Sequence, residues 1–232
     1  MSVAKPSSHC PNCKSEIKWY DNIPVLSYCL LGAKCRNCKT HIPFRYTAVE
    51  LANMVLWLIC VKCFWHISIV YAIICALVLS TLLCVFFIDL ENLIIPDRFQ
   101  IILAVAGIVS IFFDKTSLSG NFNWLTHIIG AVAGFAVFWL FAIVGEKIAG
   151  REALGGGDIK LSAVMGLFLG WQKLLLAVII ASFSACIIIF CLKIFKKEKS
   201  REYPFGPFLS VGFAVAMLFG DSIINGYMSL FI

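Results

Sequence analysis

Charge is scarce in this chain. Only 14% of its 232 residues are Asp, Glu, Lys or Arg, whereas 61% are hydrophobic. A water-soluble domain of this length builds a good core without so many apolar residues. The strict alternation of a transmembrane β-barrel is missing as well. No cleavable signal peptide is visible, because the first 45 residues are polar and carry cysteines. Nor does a Ser, Cys or His triad suggest itself: His66 and His127 fall on one side of the expected topology, and His9 and His41 flank cysteine pairs. These absences exclude a soluble globular enzyme and a barrel, and leave an all-α polytopic membrane protein.

What is present agrees. Seven hydrophobic segments are predicted, at about 46–65, 67–88, 99–113, 124–145, 160–171, 174–195 and 206–220. A spanning helix needs roughly 20 mostly apolar residues, so the third and fifth are short and suit tilted or partial spans. Alternating the loops across a bilayer puts sixteen of the 19 Lys and Arg on one side, with only Lys62, Lys115 and Lys173 on the other. The positive-inside rule assigns the rich side, and with it the N-terminal region, to the cytoplasm. The net charge of +6 therefore marks topology, and no nucleic-acid partner is expected: the first 46 residues hold seven basic residues but also Glu16 and Asp21, with no stacking platform.

Eleven cysteines in a reducing compartment do not make a disulfide framework. Cys10, Cys13, Cys35 and Cys38 form two CxxC pairs, "CPNC" and "CRNC", separated by 21 residues. Two such knuckles supply four thiolates tetrahedrally, which suits structural Zn2+, and iron is chemically compatible with the same set. The alternative is two reduced pairs without metal. A head of this size has little core of its own, so metal binding would contribute directly to its folding. Cys60 and Cys63 repeat the spacing inside an apolar helix, where small-residue packing explains them. The expected organisation is a zinc-ribbon-like head over 1–45 and a polytopic membrane domain over 46–232.

Two carboxylates stand at helix ends. Asp89 follows an apolar run in "FFIDLENLIIPDR", and Asp158 follows three glycines in "LGGGDIKLS". Ionisable groups at membrane depth are costly and mark function by default. The plainer readings are a solvated helix end for Asp89 and N-caps for Asp97 and Asp158. Two acids from distant helices on one face suggest an aspartyl hydrolase with a shared water, one carboxylate ionised and the other protonated. Asp158 at a helix start is expected to act first as the base and Asp89 at a helix end as the acid. Around them Pro96, Asp97, Gly155, Gly157 and Lys160 are expected to support the catalytic loops. Lys160 either biases a carboxylate towards its charged form or simply snorkels to lipid. The "PFGPF" stretch reads either as a turn into a helix or as a substrate-facing loop.

Taken in order, the paired CxxC head, "WYDNIPVLSY" (19–28), "RYTAVE" (45–50), "DLENLIIPD" (89–97), "GGGDIKL" (155–161) and "PFGPFLSVG" (204–212) resemble the type IV prepilin peptidases, polytopic GxGD aspartyl proteases. The resemblance implies removal, after a glycine, of the basic leader of type IV prepilins and type II secretion pseudopilins at the bacterial inner membrane. It carries the catalytic aspartates onto Asp89 and Asp158. It also implies S-adenosylmethionine-dependent methylation of the new N-terminus, since many members are bifunctional. Members usually begin with a further transmembrane helix before the head, whereas this chain starts almost at the head. Ala33 stands where many members carry glycine.

Two other classes stay open at this level. A proton- or cation-coupled transporter would use the same two aspartates and glycine-broken helices. Against it stand the placement of both acids near one face and the lack of an internal repeat. The other is a membrane-tethered adaptor binding through its head. Cleavage of a leader-bearing peptide without an ion gradient separates the first of these from a protease.

Overall fold

The computed structural model describes residues 9–23, 25–113, 124–150, 154–196 and 203–230; Lys115, one of the three basic residues on the sparse side, lies outside them. The chain divides into two compact units, Met1–Leu58 and Ile59–Ile232.

In the first unit, each CxxC sits in a tight knuckle closed by an isolated bridge, His9 with Glu16 and Lys34 with His41. The two knuckles share their hydrogen bonds: Cys10 N–H donates to Ser15 O and Lys14 N–H to Cys10 O, as Cys35 does to Thr40 and Lys39 to Cys35. Lys14 and Lys39, each following the second cysteine, both take left-handed backbone (φ 55° and 57°). A 3-10 turn at Trp19–Asn22 and a short helix α1, Leu26–Leu30, join the knuckles. The long helix α2, Phe44–Phe64, begins in this unit and passes its boundary.

The second unit is helical throughout its described residues. It holds α3 (Ile69–Asn92), α4 (Asp97–Ile111), α5 (Trp124–Ala149), α6 (Gly156–Lys196) and α7 (Gly206–Met228). Five helices, α2, α3, α5, α6 and α7, are long and apolar enough to cross a membrane. Leu77, Val132, Leu140, Phe141, Phe183 and Ile187 stay exposed, as expected where lipid replaces water around the bundle. Continuous helix over the 41 residues of α6 would run for about 60 Å, twice the hydrocarbon thickness. Gly170 prevents that. Its φ of 76° and ψ of 166° break the helix between the two predicted segments, a conformation glycine adopts without steric cost.

Small residues set the packing around this break. Gly130 and Gly134 of α5 press on the backbone of Gly166 and Ser162, so α5 runs antiparallel to the first arm of α6. Gly212 of α7 packs on Ala177 and Ala181, and Gly220 on the stem of Lys173, so α7 runs antiparallel to the second arm. Such small-residue stripes let backbones approach where no hydrophobic effect drives helices together. Near the break the buried Lys173 pairs with Asp221 at 2.8 Å. The same geometry brings the end of α3 and the starts of α4, α6 and α7 to the opposite end of the bundle.

Candidate active site and metal centre

Asp89 lies in the last turn of α3 and is 6% exposed; Asp158 lies in the first turn of α6 and is 8% exposed. The two carboxylates, 69 positions apart in sequence, lie within electrostatic range of each other. Asp89 Oδ2 accepts the backbone N–H of Gly206 at 3.0 Å. The Asp158 carboxylate lies against Gly155, whose added Cβ would sit 3.5 Å from Oδ2. Asp158 Oδ1 is buried and accepts no hydrogen bond from the described residues, and the hydroxyls of Ser162 and Ser210, each one turn further along its helix, are in the same condition.

Around this pair the chain is braced from α4. The α3 helix ends on Leu93 in left-handed conformation, whose N–H returns to Asp89 O, a common helix stop. The following residues place Ile95 beneath Gly157, where a Cβ would lie 3.0 Å from that of Ile95. The buried Gln100 donates from Nε2 to Gly157 O at 3.2 Å. Lys160 Nζ pairs with Asp97 Oδ1 at 2.8 Å on an exposed surface. Gly156 faces open space.

Several local expectations change. The cap of α4 is Pro96, with no side-chain cap bond, and Asp97 is the first helical residue. Its carboxylate pairs with Lys160 and not with the helix's own N–H groups. Asp158 is the third residue of α6 and so no N-cap. Lys160 joins Asp97, not Asp158. The dipole argument for an acidic Asp158 and a proton-retaining Asp89 also loses its basis, because Asp89 bonds to the first residue of α7 and thus faces a helix start as well.

In the first unit, the Sγ atoms of Cys10, Cys13, Cys35 and Cys38 all lie within 4.8 Å of one another. Cys10 and Cys38 are 3.8 Å apart, the separation that a tetrahedral zinc with bonds of about 2.3 Å gives its sulfurs. The Thr40 hydroxyl, then its backbone N–H, holds the Cys38 thiol down to about 5, and Ser15 lowers Cys13 in the same way. Both favour thiolates, the form a metal binds. The donor set therefore fits a metal ion.

Comparison with known proteins matches residues 1–64 to the bacterial peptidase A24 N-terminal domain and residues 76–190 to the type IV leader peptidase family. A protein of Pseudomonas aeruginosa is 35% identical over 98% of this chain and 76% of its own length. Proteins of Aeromonas hydrophila and Legionella pneumophila are 33% identical over 98% of this chain and 76% and 77% of theirs. The chain belongs to the type IV leader peptidase family. All three relatives are named prepilin leader peptidase/N-methyltransferase. No solved structure matches. Nothing in these comparisons supports the transporter alternative.

Two residues of this leader peptidase family member escaped the sequence reading. Gly206 was legible only as part of a turn. In the structure a Cβ there would lie 2.6 Å from Asp89 Oδ2, so no side chain fits. Gln100 gave no signal beyond being a polar residue in an apolar helix. Ala33, at the position noted for glycine, has φ 59°, the left-handed backbone that glycine adopts most readily.

Proposed function

We propose that this protein is an aspartyl endopeptidase that removes the basic leader from type IV prepilins and type II secretion pseudopilins after a glycine. The convergence of Asp89 and Asp158 carries the reading. A water held between them would give Asp158 Oδ1 the partner it lacks among the described residues. Repulsion keeps the pair from ionising together, so at working pH one carboxylate is charged and the other holds a proton. The charged one takes a proton from the water as the oxygen attacks the scissile carbonyl, and the other donates to the carbonyl oxygen. Collapse of the tetrahedral intermediate breaks the C–N bond, with the proton passing to the leaving amine. Gly206 and Gly155 fix the two carboxylates, while Ile95, Pro96, Asp97, Gln100, Gly157 and Lys160 hold the loop that carries Asp158.

The division of labour is a metal-binding head over 1–45 and a protease domain over 46–232. Zinc in the four-cysteine site is structural, since four thiolates close its shell. The positive-inside rule puts the head and both aspartates on the cytoplasmic face of the inner membrane. S-adenosylmethionine-dependent methylation of the new N-terminus is part of the same activity, a reading supported by the relatives' names.

Purified protein incubated with a peptide bearing a basic leader, a glycine and an apolar helix tests this by mass spectrometry. Loss of the leader mass supports the peptidase, and a further gain of one methyl with the donor present supports the transferase. Intact peptide beside aspartate-dependent proton flux would overturn both.

A further inference from the structure

Hydroxyls inside apolar helices commonly donate to a carbonyl one turn back. Those of Ser80, Thr81, Ser110 and Ser184 do so here, at 2.8–2.9 Å. Ser162 of α6 and Ser210 of α7 do not, although they are only 0% and 4% exposed. Neither Oγ has a hydrogen-bond partner among the described residues, and Asp158 Oδ1 shares that condition. Buried polar groups in folded proteins are almost always paired, either with protein or with ordered water. The peptidase mechanism as derived above uses neither serine.

Spacing along the two helices brings these atoms to one level. Ser162 lies four residues after Asp158, and Ser210 lies four after Gly206, whose amide bonds Asp89. Positions four apart share a helix face. Four residues advance a helix by about 6 Å, so both serines stand one turn beneath the aspartates. Helical side chains lean towards the helix N-terminus, and α6 and α7 both begin at the active site. Each hydroxyl therefore leans towards the carboxylates. One hydrogen bond does not cover a turn, but two of about 2.8 Å in series do.

We infer that Ser162 and Ser210 hold a second buried water behind the catalytic pair, and that this water positions Asp158; the inference rests on the peptidase half of the proposed function. The two hydroxyls donate to the water's two lone pairs, and the water donates one hydrogen to Asp158 Oδ1. Three bonds are the usual number for a buried water. A carboxylate oxygen has two lone pairs, so Oδ1 keeps one for the water that attacks the substrate. The plane of the Asp158 carboxylate is then fixed from beneath by its own helix and by α7, the helix that fixes Asp89 through Gly206. Both serines are positioning residues, acting through the held water and touching neither the substrate nor the attacking oxygen.

The test is cleavage of the leader-bearing peptide by purified Ser162→Ala and Ser210→Ala proteins, followed by mass spectrometry with thermal melting alongside. Loss of one hydrogen bond to the held water is expected to lower kcat about three- to tenfold with KM unchanged. The melting temperature should hold or rise, because each substitution removes a buried hydroxyl. Both serines hold the same water, so the double variant should be no slower than the slower single one. Ser110→Ala is the control: that serine is equally buried but bonds within its own helix, and kcat should stay at the wild-type value. Wild-type kcat in both Ser162→Ala and Ser210→Ala overturns the inference. So do losses that multiply in the double variant, or a fall in kcat joined by lower melting and a raised KM, the pattern of packing damage. A wild-type protein that leaves the peptide intact removes the peptidase reading and this inference with it, whereas a cleaving wild type with unaffected serine variants removes the inference alone.

Discussion

Replacing Gly206 by alanine tests the active-site geometry with a single methyl group. The new Cβ would lie 2.6 Å from Asp89 Oδ2, 2.9 Å from its Cγ and 3.2 Å from its Cβ. Contacts below 3.0 Å essentially do not occur, and ordinary ones begin at 3.4 Å, so the carboxylate must shift by about 0.4–0.8 Å or α7 must back away. Either response disturbs the 3.0 Å bond from the Gly206 amide. Misplacement of a reacting group by about 1 Å costs on the order of 100-fold, so a loss of 10- to 100-fold in kcat is expected. Stability should change little. Alanine gains up to about 1 kcal/mol over glycine in a helix, which offsets part of an overpacking cost of about 1–3 kcal/mol. Gly156→Ala is the control, since nothing lies within 4 Å of its Cβ position, and it should keep at least about a third of the rate. Leader release is followed by mass spectrometry, with thermal melting run alongside. A Gly206→Ala protein that keeps half of the wild-type kcat would refute the reasoning.

Further outcomes follow from the same structure. Gln100→Leu removes the hydrogen bond that α4 gives to Gly157 O, and loss of one such bond, about 0.5–1.5 kcal/mol, should lower kcat a few-fold with KM unchanged; a comparable weakening of both substrate binding and turnover would instead indicate general damage. The purified protein should carry one zinc per chain by elemental analysis, and Cys10→Ser or Cys38→Ser should lose it together with the fold of the head; a full complement of zinc in either variant contradicts the site. Arg36, through its hydrogen bond, holds Asp21 below the usual carboxylate range. The pair therefore stabilises the head above about pH 4, the ordinary value for Asp, and that contribution fades as pH falls through the lowered value. The melting difference between wild type and Arg36→Ala should accordingly be present at pH 7 and vanish in acid, and a difference that grew in acid would reverse the sign.

Helices were the easiest part to read, because a run of apolar residues long enough to span lipid has few other uses. Even the reversal in α6 showed as a gap between two segments, although only the structure assigns it to Gly170. The aspartates stood out because charge is rare in this chain. What bonds to them did not. Gly206 meets Asp89 across 117 residues and Gln100 meets Gly157 across 57, and such contacts have no local pattern. Cap assignments failed for a related reason. Asp97 has the right chemistry for a cap, but Lys160 lies 63 residues away in sequence and takes its carboxylate. The head repaid local reading better, since the repeated Cys-x-x-Cys-Lys spacing already contains its own turn.

The central claim is that Asp89 and Asp158 act as one unit on one water. Leader release measured for Asp89→Asn, Asp158→Asn and the double variant tests it most directly, because groups that act together are strongly non-additive. Each single variant is expected to lose at least about 1,000-fold, and the double variant to be no slower than either. Retention of more than a tenth of the wild-type rate in either single variant, or losses that multiply in the double, would contradict the account.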